Sequence, residues 1–218
     1  MTVRPGAVCV FAKVPRPGYV KTRLASAVGA DLAAAFAEAF LEDTVGALTA
    51  VGASTIVAFD ADAPAHWRRP TLPVWQQGEG DLGYRLERVL ARALAEHPWA
   101  IALGADSPGL PPEFLTMAAD ALDRPDGPDC VLGPCRDGGF YLLGVRSVAP
   151  GTLSKVRWSS PFALADTERA LAGHGRTLLR LPEWFDVDEA EDLTRLCDLI
   201  ERGEVTAPAT SRVLTGAP

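Results

Sequence analysis

Four short segments concentrate the side chains able to do chemistry. The first, Lys13-Val-Pro-Arg-Pro-Gly-Tyr-Val-Lys-Thr-Arg-Leu24, holds Lys13, Arg16, Lys21 and Arg23 with no acid between them. The chain of 218 residues carries a formal net charge of −7, so this loop is a local reversal of sign. Clustered cations neutralise phosphate oxygens, with Pro15, Pro17 and Gly18 shaping the backbone around them; the plainer role is a solvated basic surface. The second, Gly104-Ala-Asp-Ser-Pro-Gly-Leu110, offers Asp106 as a ligand for a hard cation such as Mg²⁺, which takes one or two carboxylates plus substrate phosphates. Its plainer role is an Asx-type turn before Pro108. The third, Gly133-Pro-Cys-Arg-Asp-Gly-Gly-Phe-Tyr141, pairs Asp137 with two glycines that permit close backbone approach. Asp137 there binds metal, orients an acceptor hydroxyl or serves as its base; Asp-Gly is equally a hairpin signal, and both roles are compatible. The fourth, Trp184-Phe-Asp-Val-Asp-Glu-Ala-Glu-Asp192, is an acidic cluster in which Asp188 either caps a helix, with Glu191 completing a capping-box variant, or stays free to bind a ligand. With Asp188 as the cap, Asp186 is free to face a crevice.

These segments gain meaning from the elements that hold them. Short apolar or β-branched runs at Ala7 to Ala12, Ser54 to Phe59, Leu72 to Trp75, Trp99 to Leu103, Asp129 to Leu132, Phe140 to Val145 and Thr177 to Leu181 read as strands. Helical spacing marks Asp31 to Ala50, Asp81 to His97, Pro111 to Leu122, Pro161 to Ala172 and Glu189 to Glu201. Asp81, in the Gly-rich turn Gln77 to Gly83, is the expected cap of its helix. The alternation predicts an α/β fold with a mostly parallel central sheet and helices on both faces. With no linker or repeat, residues 1–205 read as one domain, followed by a tail at 206–218 that is a short helix around Ser211 to Leu214 or loose. In such sheets ligands bind beyond the carboxyl ends of the strands, which directs attention to the loops after Ala12, Phe59, Leu103 and Leu132.

Other chemistries find little support. Neither a P-loop nor a Gly-x-Gly-x-x-Gly turn is present, and the Ser107 segment does not match Gly-x-Ser-x-Gly. None of His66, His97 and His174 lies at a strand end, which argues against a Ser–His triad. Cys9, Cys130, Cys135 and Cys197 show no Cys-x-x-Cys spacing and are read as structural. Of the five tryptophans, Trp158 is the candidate ligand contact. Hydrophobic residues at 48% and charged residues at 22% are ordinary for a globular chain. No apolar stretch reaches the ~20 residues of a membrane span, and nothing at the start resembles a signal peptide. The expectation is a cytoplasmic protein with no membrane partner and, given the acidic balance, no nucleic-acid partner.

The ordered set Phe11 to Leu24, Gly80 to Gly83, Gly104 to Leu110, Leu132 to Tyr141, Trp158-Ser159 and Asp186 to Asp188 resembles the GT-A-like, nucleotide-diphospho-sugar transferase superfamily. Within it, the chain looks most like the DUF2064 family, a glycosyltransferase-like and CofC-like group, over residues of about 5 to 200. The resemblance implies a Rossmann-like GT-A domain binding a nucleotide over the first-strand loop, at Ala12, Lys13, Pro17, Gly18, Lys21 and Arg23, and at Gly104. It implies Mg²⁺ (or Mn²⁺) at Asp106, where relatives carry Asp-x-Asp or one Asp. Ser107 and Pro108 stand in place of the second acid, so Asp186 or Asp188 supplies the next ligand. Gly138, Gly139, Trp158 and Ser159 are then acceptor-side residues. Lys-Thr-Arg-Leu is similar to the Lys-Ser-Arg-Leu of 2-phospholactate guanylyltransferases. The glycine-rich signature of molybdenum-cofactor guanylyltransferases is missing, so no base preference transfers.

Two transferase reactions follow. In the favoured one, a small anionic acceptor attacks the α-phosphate of a nucleoside triphosphate, pyrophosphate leaves, and Lys13, Lys21 and Arg23 stabilise the charge. The four cations of one loop favour it. In the other, a nucleotide sugar donates its glycosyl group and Asp137 positions the acceptor. A non-catalytic nucleotide-binding module would not need the Asp137 and Trp158 segments. Base, acceptor and oligomeric state stay open, a homodimer included.

Overall fold

The computed structural model describes residues 5–216. Seven strands form one sheet: β1 Ala7–Ala12, β2 Ser54–Phe59, β3 Val74–Gln76, β4 Ala100–Gly104, β5 Cys130–Pro134, β6 Phe140–Val145 and β7 Leu178–Arg180. Their order is β3-β2-β1-β4-β6-β5-β7. All pairings are parallel except those of β6, which runs against β4 and β5. That reversal is what the Asp-Gly-Gly turn between β5 and β6 produces. It also sets the start of β6 at the same edge as the ends of β1 and β4, since Leu103 pairs with Leu142.

The helices are α1 Thr22–Val28, α2 Ala30–Ala47, α3 Leu82–Leu94, α4 Pro112–Asp123, α5 Ala163–Gly173, α6 Ala190–Glu201 and α7 Pro208–Thr215. Side chains of β1 alternate between two cores. Val8 and Val10 pack with Leu41 and Leu115 of α2 and α4. Ala7 and Cys9 pack with Leu86, Leu90 and Leu171 of α3 and α5. A strand buried on both faces must be apolar throughout, which is why β1 reads as a continuous run. A third core joins Leu24, Phe36, Phe40, Val187, Leu196 and Val205, fixing α1 and α6 beside α2.

Three local expectations are corrected. The first loop ends at Lys21 rather than Leu24, because α1 begins at Thr22 and Leu24 is buried in the third core. Gly29, with φ 87°, separates α1 from α2. The weak strand lies at Val74–Gln76, not Leu72 to Trp75. The N-cap of α6 is Glu189, paired reciprocally with Asp192, not Asp188. Of the two readings of residues 206–218, the helix is found, and it is longer than expected. Buried Asp43 of α2 accepts from the backbone of Ala209 and Thr210 and from the Thr210 hydroxyl, satisfying orphan donors at the α7 N-terminus. Hydrogen bonds to a charged group are worth about 1.5–3 kcal/mol each, enough to pin a two-turn helix. No helix among the described residues is long and apolar enough to cross a membrane.

Candidate functional site

An open cleft of about 690 Å³ lies where β1 and β4 end and β6 begins. Two walls of different chemistry face each other across it.

The first wall is built from the β1–α1 loop. Asp60, just past β2, accepts from the Val14 backbone at 3.0 Å and from the Tyr19 hydroxyl at 2.8 Å. Arg16 lies 4.7 Å from the centre of the Tyr19 ring, so this cation is held on the loop's own surface. Lys21 adopts the left-handed conformation, φ 47° and ψ 43°, as the chain turns into α1. Its side chain is 4% exposed and its Nζ lies 2.6 Å from Asp106 Oδ1 and 2.9 Å from Asp188 Oδ1. Burial pushes the Lys21 ammonium down, but the two carboxylates more than offset it and hold it above the ordinary lysine value. Asp106 and Asp188 are themselves half exposed, and the Val187 backbone donates to the Asp106 carbonyl at 2.8 Å, tying their segments together. Arg23 reaches Glu189 at 3.3 Å in an exposed pair, the kind worth 1 kcal/mol or less at about that order. Lys13 lines the cleft and makes no ion pair among the described residues.

Asp186 sits behind these groups. Ser107 Oγ donates to its Oδ1 at 2.5 Å and Cys135 Sγ donates at 3.4 Å. Burial pushes the Asp186 carboxyl up to about 6, reinforced by Asp106 and Asp188 and opposed by the Ser107 hydrogen bond and Lys21. Cys135 is pushed above its ordinary range by burial and by Asp186.

The second wall comes from the β5–β6 turn, the segment before α5 and the start of α3. Asp137 accepts from the Gly139 backbone at 2.8 Å through Oδ1, so it shapes the turn while also lining the cleft. Its Oδ2 has no hydrogen-bond donor among the described residues. Gly138, φ 85°, packs so closely on the chain that an added Cβ would stand 2.1 Å from the Pro161 carbonyl oxygen. Trp158 meets Phe140 edge to face, ring centres 6.1 Å apart. A Cβ on Gly83 would lie 2.8 Å from Trp158 Nε1, which is why glycine follows Leu82 at the start of α3. Asp81 does cap α3, accepting from the Tyr84 backbone. Arg157 anchors the segment through three bonds to buried Asp166 of α5, two from its guanidinium at 2.7 and 3.0 Å and one from its backbone at 3.2 Å, and Arg169 adds a fourth. Ser159, φ 55°, turns the chain over the cleft.

Of the residues singled out from the sequence, Ala12, Lys13, Lys21, Arg23, Asp106, Asp137, Gly139, Trp158, Ser159, Asp186 and Asp188 line this one cleft. Pro17, Gly18, Gly104 and Gly138 do not; they shape the backbone beside it. Leu82, Phe140, Pro161 and Ala163 also line it and were given no role from the sequence, because an apolar side chain at a strand or helix start carries no chemical signal; Val20, Thr22, Ala37, Ala105 and Ser160 complete the lining. For Mg²⁺ or Mn²⁺ the donor set of Asp106 and Asp188 fits. Both are hard oxygen ligands open to the cleft, and both already converge on one cation, Lys21 Nζ. Asp186 does not converge with them, being engaged by Ser107 and Cys135, and no group of three or more His, Cys, Asp or Glu placed to hold a metal occurs among the described residues.

The fold is shared with solved structures of nucleotidyl and nucleotide-sugar transferases. A candidate nucleotide-diphospho-sugar transferase from Desulfovibrio desulfuricans G20 superposes with a TM-score of 0.85 at 28% identity, covering 98% of this chain and 95% of that one. A nucleotidyl transferase from Methanothermobacter thermautotroptrophicus gives a TM-score of 0.60 at 15% identity, over 91% and 99% of the two chains. A 4-diphosphocytidyl-2C-methyl-D-erythritol synthase gives 0.58 at 16%, over 92% and 100%; the last two likenesses speak to the fold. The family described as an uncharacterized protein conserved in bacteria, DUF2064, matches residues 44–160, more than half of the chain, and the chain belongs to that family. No curated protein matches the sequence.

Proposed function

We propose that the chain is a nucleotide-dependent transferase whose donor is a nucleotide diphospho-sugar. The observation that carries this reading is the engagement of Lys21. Counted along the sequence, four cations in the first loop favour a triphosphate. In the folded chain Lys21 is committed to Asp106 and Asp188 and Arg16 lies outside the cleft lining, so Lys13 and Arg23 remain to meet phosphate. Three cations in the lining face the carboxylates of Asp106, Asp137, Asp186 and Asp188. A nucleotide sugar, its terminal phosphate esterified, brings less negative charge into that balance than a triphosphate does. The name of the Desulfovibrio relative supports the same donor class.

Lys13 and Arg23 would bind the diphosphate and steady it as it departs. A divalent cation held by Asp106 and Asp188 would supply further charge neutralisation of the leaving phosphates. Asp137, its Oδ2 free of protein donors, would accept the acceptor hydroxyl's proton as that oxygen attacks the anomeric carbon. The bond from that carbon to the phosphate oxygen breaks, and a nucleoside diphosphate leaves. Nucleotidyl transfer from a nucleoside triphosphate is the second reading, favoured by the likeness of fold to nucleotidyl transferases.

A melting screen against nucleotide sugars and nucleoside triphosphates, with and without Mg²⁺, tests both. Stabilisation by a nucleotide sugar, with slow donor hydrolysis, is expected. Selective stabilisation by a triphosphate with pyrophosphate release would replace the first reading by the second, and no response to any nucleotide overturns both.

A further inference from the structure

The two walls of the cleft differ in the one property an acceptor would have to match. Every basic residue in the lining, Lys13, Lys21 and Arg23, comes from the β1–α1 segment. The opposite wall presents Leu82, Phe140, Trp158, Pro161 and Ala163, with Ser159 and Ser160 among them, the Ser160 hydroxyl turned to the backbone of Arg157 and Phe162, and Asp137 as its charged group. The cation nearest that wall in sequence, Arg157, is held by Asp166 through two guanidinium bonds and lies over the Phe162 ring at 4.1 Å. It is absent from the cleft lining. An anionic acceptor, as expected from the sequence, would therefore lose its hydration on an apolar surface beside the Asp137 carboxylate, with no cation to compensate.

We infer that the acceptor is an uncharged hydroxyl compound with an apolar ring face, seated on Trp158, Phe140 and Leu82 with its hydroxyl toward Asp137. The inference rests on reading the cleft as a transferase site and specifies the substrate class of its second wall. Leu82 is 40% exposed, so the surface is open to a ligand, whereas Trp158 is wedged between Phe140 and Gly83 and forms the rigid floor. Flat rings on a preorganised aromatic floor bind with little ordering cost.

Two probes sharing one ring separate the alternatives: p-nitrophenyl β-glucoside, neutral and hydroxylated, and p-nitrophenyl phosphate, an anion. Saturation-transfer NMR on the full chain is expected to show contact with the glucoside ring and none with the phosphate ester in the Trp158 wall. Trp158→Ala should weaken glucoside binding on the order of tenfold, from the apolar contact removed. Leu82→Lys, at an exposed position that keeps the fold, should weaken the glucoside and admit the phosphate ester. The phosphate ester binding there as well as the glucoside, or glucoside binding unchanged in both variants, or neither probe binding the wild type, overturns the inference. The melting shift with nucleotide, measured on the same samples, separates the two levels. A retained shift with failed probes removes the acceptor class alone, and an absent shift in the wild type removes the transferase reading beneath it.

Discussion

The first wall of the cleft is held by charge and the second by packing. Lys21 is buried, and its place is set by Asp106 and Asp188 arriving from two distant segments. Trp158 is set by ring contact with Phe140 and by the missing side chain of Gly83, with Arg157 and Asp166 holding the segment's ends from outside. A charged wall can exchange partners when another anion or cation arrives, whereas a packed wall offers a fixed shape. On the proposed reading, the donor phosphates would meet the first wall and the acceptor the second.

Removing the charge network of the first wall has the largest expected effect. Asp106→Asn with Asp188→Asn leaves the Lys21 ammonium buried and unpaired, a loss of about 3 kcal/mol or more. Each single change leaves one partner in place, so the double loss should exceed the sum of the singles. Lys21→Met in the double background should restore most of it. Urea denaturation of the four variants measures this, and simple additivity would show that the network is not the support of that wall.

A smaller effect is expected at the packed wall. Gly83→Ala places a Cβ 2.8 Å from Trp158 Nε1 and 3.0 Å from the Leu153 carbonyl oxygen. Overpacking costs about 1–3 kcal/mol, partly offset by about 1 kcal/mol of improved helix propensity. The melting shift with nucleotide should persist while glucoside binding falls. A variant that loses the nucleotide response and keeps glucoside binding would invert the assignment of the walls.

The smallest effect is a pH dependence. Hydrogen bonding from Arg157, then from Arg169, holds the Asp166 carboxyl well below the usual carboxylate range. A depressed folded value means that unfolding takes up a proton in acid. This contribution is intact above the unfolded value, about pH 4, and is lost as pH falls through the folded one. Asp166→Asn should melt lower at pH 7 and show a shallower decline than wild type below about pH 4. Thermal melts across that range check it; parallel declines would mean Asp166 does not anchor the second wall.

Much of this site was legible because its parts lie at strand ends. Lys13, Asp106 and Asp137 each follow an apolar run whose direction could be read, and the carboxyl-end rule then collects them. What escaped is long-range pairing. Lys21 and Asp188 are 167 positions apart, and nothing local distinguishes a lysine that meets phosphate from one that meets two carboxylates. The capping of α7 by Asp43 has the same character, as does the contact of Cys135 with Asp186. α1 escaped for a different reason: seven residues give too few turns for a period to show, and its burial depends on α2 and α6.

On the proposed reading, the Asp106–Asp188 pair with Lys13 and Arg23 forms one nucleotide and metal site. Mn²⁺ binding followed by paramagnetic resonance, with and without the nucleotide sugar that most stabilises the protein, tests it most directly. The nucleotide is expected to strengthen Mn²⁺ binding in the wild type, and Asp106→Asn to abolish the strengthening while keeping the fold. Mn²⁺ binding indifferent to nucleotide, or unchanged in Asp106→Asn, would contradict that reading.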